Sequence, residues 1–190
     1  MNTKQLATTI IFAALTVALN PGVSGIGVPA PYAPFLIYGL WEIPIVAAFI
    51  LISPGSGILI SLLNAAVLFA FFPGPLPTGP LYNLIAIFSM LLGLYISYRF
   101  INRETEGQEK VLKTAVASTL LGIAMRVAVM TLVNYLTLNQ PYPIGFEMEE
   151  IAVIAFLPLA ALFNGTIVIY TIPIGDFIAQ IVKSRLKLTS

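Results

Sequence analysis

The chain has 190 residues, of which 58% are apolar and only 9% charged, with a net charge of +1 and a mean hydropathy of +0.96. A soluble domain carries roughly 25% charged residues, so composition excludes one and implies a single integral membrane domain over 1–190. Cysteine and histidine are both absent. Their absence excludes disulfides, thiolate chemistry, imidazole-bound haem or zinc, and every histidine-based triad.

A span needs about 20 mostly apolar residues, and on that measure the sequence predicts an all-α membrane protein of six spans. The first covers 4–19 and is short; no small-residue cleavage site precedes Asn20-Pro21, so no cleaved leader is expected. Proline and glycine dominate 20–34, which reads as a long irregular loop. The second span covers 33–52, interrupted by Glu42 and Pro44, and a Ser-Pro-Gly-Ser-Gly turn at 53–57 leads into the third over 57–72. Breakers fill 73–80, the fourth span runs over 81–101, and 102–110 is a charged connector. The fifth span covers 111–138 and the sixth 150–182, with Pro158 and Pro173 as expected kink points.

The loop charges orient these spans. Lys4, Arg99, Arg103, Lys110, Lys113, Lys183, Arg185 and Lys187 fall on one side, while the loops of the other contain only Glu147, Glu149 and Glu150. The positive-inside rule then places both termini in the cytoplasm, and an even number of spans agrees, since it puts both on one side.

Three ionisable residues interrupt the spans. Glu42 and Arg126 are predicted at matching depths, about 15 and 18 Å below the outer surface. An unpaired arginine there costs from about 3 to over 10 kcal/mol, so the two are expected to form a buried structural ion pair; a proton relay or a ligand clamp is the functional alternative. Asp176, near the inner end of the last span, is expected to meet water, Lys183 or Arg185.

Polar groups gather toward the outside. Asn83, Asn134, Tyr135, Tyr142 and Asn164 are candidate ligand-binding residues, with Tyr82 and Trp41 nearby. Amides and rings together suit a flat, uncharged heterocycle, although each amide alone also serves as interhelical glue and aromatic rings also populate the interface belt. Ala14 and Ala18 carry a small-xxx-small pattern on the first span, suited to packing within the chain or to docking a partner helix. No Walker P-loop, metal-ligand cluster or nucleophile–base arrangement is present in the sequence. Neither an enzyme, a metal site, a cofactor nor a nucleic-acid partner is expected.

Several short motifs follow one another along the chain. They are Glu42-Ile43-Pro44, the Pro54-Gly55-Ser56-Gly57 turn with the helix to Asn64, Pro77-Thr78-Gly79 with Asn83, Asn134-Tyr135 ahead of Pro141-Tyr142, and Phe163-Asn164. The series resembles the substrate-binding S component of energy-coupling factor (ECF) vitamin transporters, most closely the riboflavin-specific members. In one place the chain departs from those members: Ile167 and Val168 stand where they often carry a lysine. The resemblance implies a six-helix subunit of the plasma membrane that holds riboflavin near its outer face beneath the first loop. It also implies partnership with a transmembrane coupling protein and two cytoplasmic ATPases, with docking through Ala14 and Ala18 and a toppling motion that delivers the vitamin inward. An S component for thiamine, folate, pantothenate or a queuosine precursor, and a non-catalytic membrane scaffold, are the alternative readings.

Overall fold

Four prolines, at 29, 31, 34 and 44, decide how the chain runs after its first helix. A computed structural model describes residues 3–72, 74–101 and 108–186. The first helix, α1 (Thr3–Leu19), is followed by a four-residue helix, α2 (Pro21–Ser24), capped by the Asn20 side chain. A hairpin of β1 (Val28–Ala30) and β2 (Ala33–Tyr38) comes next, and then a nine-residue helix, α3 (Ile43–Leu51). Four long helices complete the chain: α4 (Pro54–Phe71), α5 (Gly79–Ile101), α6 (Gln108–Thr137) and α7 (Glu150–Leu186).

These four are long and apolar enough to cross a membrane. At 17 residues, α1 is apolar but spans only about 26 Å. The expected second span over 33–52 is corrected. Proline lacks the amide that a helix interior uses and is favoured in the first turn, although α7 carries Pro158 and Pro173 inside it. Here 33–38 is extended and paired with β1, and Pro44 stands in the first turn of α3. The loop expected to be irregular over 20–34 is likewise corrected, since it holds α2 and β1. Arg103 and Lys187, two of the cations used for orientation, lie outside the described residues, as does the side chain of Lys110.

Helix α3 is apolar all round and is the centre of the core, as a helix without a polar face must be. Ile45, Val46, Ala47 and Ala48 are fully buried, among Ile60 of α4, Ile87 and Met90 of α5, and Val168 and Ile172 of α7. Close approach demands glycine at two crossings. A Cβ on Gly175 of α7 would lie 2.6 Å from Val46 Cγ1, and one on Gly93 of α5 would lie 2.5 Å from the Leu121 carbonyl of α6.

Hydrogen bonds fix which helix ends lie together. Thr9 of α1 reaches Ser56 at the start of α4 (3.4 Å), Ser118 of α6 reaches Ser97 of α5 (2.9 Å), and Tyr98 of α5 reaches Asp176 of α7 (3.2 Å). The start of α1 and the end of α7 therefore share one end of the bundle. At the opposite end Thr78 Oγ1 donates to the Pro143 carbonyl (2.7 Å) and Tyr82 Oη to that of Ile144 (2.6 Å), tying the start of α5 to the α6–α7 loop.

Candidate functional site

Strand β2 descends along α7. Phe35 packs on Phe156 with ring centroids 5.4 Å apart, and Tyr38 packs on Phe163 at 4.8 Å. Three strand residues advance about 10 Å, and the seven helix residues from Phe156 to Phe163 advance about the same. The two elements thus run side by side in step. Tyr170, another seven residues along, donates its hydroxyl to the Gly39 carbonyl (2.8 Å). Tyr32 in the hairpin turn and Tyr38 at the end of β2 bring their hydroxyls 2.5 Å apart.

The descent ends on a charge cluster. Glu42, at the N-cap of α3, accepts from both terminal nitrogens of Arg126, with Nη2 2.9 Å from Oε1 and Nη1 bonded to Oε2. Arg126 Nε donates to Asn164 Oδ1 (2.9 Å), and Nη1 also lies 3.8 Å from Met90 Sδ. Asn164 Nδ2 in turn donates to the Ala160 carbonyl (2.9 Å). Glu42 and Arg126 are 2% and 3% exposed and Asn164 6%. Arg126 lies eleven residues below the end of α6, about 17 Å, so α3 begins near mid-depth. Extended chain followed by a half-length helix covers the distance that a single helix was expected to cover.

The remaining predicted residues are dispersed above this floor. Asn134 is half-buried and lies two turns outward from Arg126 on the same stripe of α6, with buried Met130 between them. Asn83 is exposed and stands two turns outward from Met90 on α5, with buried Ile87 between. Tyr135 is 43% exposed and Tyr142, in the tethered α6–α7 loop, 66% exposed. Only Asn164 is brought into contact with the ion pair. Ala14 and Ala18 lie on the exposed face of α1, opposite buried Thr9, Phe12 and Thr16.

Asp176 departs from expectation. It is buried, and its two oxygens accept from Tyr98 and from Gln180 Nε2 (2.8 Å), not from Lys183 or Arg185. The register of α7 turns position 176 toward α5, whereas nearness in sequence to the basic end of the helix had suggested the cations.

Sequence reasoning missed Tyr32, Tyr38 and Tyr170 as parts of the site. The aromatic residues of β2 were a signal, hidden because 33–52 reads as one apolar run. Among the described residues no group of three or more His, Cys, Asp or Glu side chains converges on a metal position.

Comparison with known proteins gives a likeness in fold. No protein-family model matches the chain, and no curated protein matches it. The fold is similar to that of the S component of a bacterial ECF transporter, with a TM-score of 0.72 and 22% identity over 98% of this chain and 99% of the other.

Proposed function

We propose that this chain is the substrate-binding subunit of an ECF-type vitamin importer in the plasma membrane, and that riboflavin is its ligand. The observation that carries the reading is the polar floor beneath an aromatic hairpin, within a fold similar to an S component. Arg126 has five N–H donors. Contacts to Glu42, Asn164 and Met90 use four of them, which leaves one on Nη2; Asn164 Nδ2 likewise keeps a second N–H. Because Glu42 already neutralises Arg126, the floor offers donors without net charge. It suits an uncharged ring system with carbonyl or imine acceptors along its edge, and the rings of Tyr38 and Phe163 suit its face. Asn83 and Asn134, on the stripes above, are the amides nearer the mouth.

The hairpin is the movable part. Irregular backbone at membrane depth is tolerated only against protein or a wet cavity, and this hairpin rests on α7 through two ring contacts and the Tyr170 hydrogen bond. The floor is sealed in this conformation, so ligand access requires the hairpin to lift. Transport would be driven by partner ATPases through a coupling protein docked on the Ala14–Ala18 face. Both termini would then be cytoplasmic.

Buried Ile167 and Val168 favour a neutral ligand and leave room for a second reading, an S component for another heterocyclic vitamin. Purification tests the choice. Protein from riboflavin-fed cells is expected to be yellow, with one flavin per chain. Colourless protein that retains thiamine, folate, pantothenate or a queuosine precursor supports the second reading and contradicts riboflavin.

A further inference from the structure

A second concave feature lies at the opposite end of the bundle from the hairpin. It is a cleft of about 360 Å³ between the α3–α4 turn and the last turns of α5. One wall is apolar, formed by Phe49, Ile50 and Ile52; the other carries Tyr95, Tyr98 and Arg99. Arg99 Nη1 donates to the Tyr95 hydroxyl (3.1 Å), and among the described residues the guanidinium has no carboxylate partner. That contact uses one of its five N–H donors and leaves four. Asp176 sits behind Tyr98, with its two oxygens accepting from Tyr98 and from Gln180.

The surroundings select the occupant. The contacts Thr9–Ser56, Ser118–Ser97 and Tyr98–Asp176 bring exposed Lys4, Lys113 and Lys183 to this same end, within two turns of each contact. Outside the cleft, toward the middle of the bundle, α4 and α5 expose Ile58, Leu62 and Leu92. A molecule that fits must therefore be anionic at one end and apolar at the other. Basic pockets between helices at a membrane surface bind anionic lipid headgroups by this combination. We propose that the cleft holds an anionic phospholipid of the adjacent leaflet. Its phosphate would sit on Arg99 and the Tyr95 hydroxyl, and its acyl chains along the exposed faces of α4 and α5.

The test uses the full chain in a neutral detergent, with lipid retention read by native mass spectrometry and affinity by thermal shift. Phosphatidylglycerol is expected to be retained at one copy per chain and to raise the melting midpoint, whereas phosphatidylcholine is not. Arg99→Gln should weaken phosphatidylglycerol binding at least about fivefold, the effect of one cation at a membrane surface. Glu149→Gln, exposed at the opposite end of the bundle, should leave the retained copy in place. Ile52→Trp fills the cleft without touching charge and should also abolish retention, which keeps the test decisive if Arg99→Gln fails to fold. Unchanged phosphatidylglycerol binding in the foldable variants would overturn the proposal. So would equal binding of phosphatidylcholine, or an equal shift from inorganic phosphate alone, which would assign the cleft to a free anion. Vitamin binding at the other end is not read by any of these measurements, so the two proposals fail separately.

Discussion

Arg126 and Glu42, 84 positions apart in the chain, meet through two hydrogen bonds at the depth where strand gives way to helix. A two-bonded pairing of guanidinium and carboxylate is the strongest form of charge-assisted hydrogen bond available to side chains. Here it also sets the height at which α3 starts, and so how far the hairpin reaches into the bundle.

Breaking the pair from either side should be costly. Glu42→Gln or Arg126→Met leaves the other partner buried and uncompensated, for a loss of about 3–5 kcal/mol, read as a lower melting midpoint in detergent. The double swap Glu42→Arg with Arg126→Glu should recover a higher midpoint than either Glu42→Arg or Arg126→Glu alone. If it recovers nothing, the pair does not hold this part of the fold.

The two amides should separate by what they touch. Asn164→Ala removes the acceptor of Arg126 Nε, so it should lower stability by about 1–3 kcal/mol and weaken ligand binding as well. Asn134 is half-buried nearer the mouth, and Asn134→Ala should leave the midpoint near that of wild type while affinity alone falls. Wild-type affinity in both variants would remove the amides from the site.

Much of this arrangement was legible in the sequence, and the exceptions have physical causes. The long helices were found because continuous apolar runs between breakers determine them, and the partnering of Glu42 with Arg126 followed from the cost of lone charges in the bilayer. The hairpin was not found because its apolar composition equals that of a span; Pro44, interior to 33–52, carried part of the information, because a proline there marks where a helix starts or kinks. The Asn164–Arg126 contact depends on how α6 and α7 are rotated about their axes, and residue types alone do not encode that. Asp176 failed for the same reason.

The α5–α6 crossing makes a prediction with its own control. At Gly93 a Cβ would lie 2.5 Å from the Leu121 carbonyl, which is backbone and cannot step aside. Gly93→Ala should therefore destabilise by about 1–3 kcal/mol. At Gly165 the nearest atoms would be 3.7 and 3.8 Å away, so Gly165→Ala should be neutral or slightly stabilising through helix propensity. Equal midpoints for the two variants would refute the close crossing.

Ala14→Leu tests the outer face of α1. The residue is exposed, so the purified variant should fold and bind ligand as wild type does. In cells with the complete transporter it should abolish uptake, because a larger side chain keeps a partner helix away. Normal uptake would exclude this face from docking.

Trp41 provides the most direct measurement of the central claim. It is the sole tryptophan, buried beside Glu42 at the foot of the hairpin. Riboflavin bound against the floor should quench its fluorescence by energy transfer, saturably, at one ligand per chain and at sub-micromolar concentration. Asn134→Ala should shift that titration to higher concentration. A saturable response to another vitamin with none to riboflavin would contradict the ligand assignment, and no saturable response to any vitamin would contradict the binding function itself.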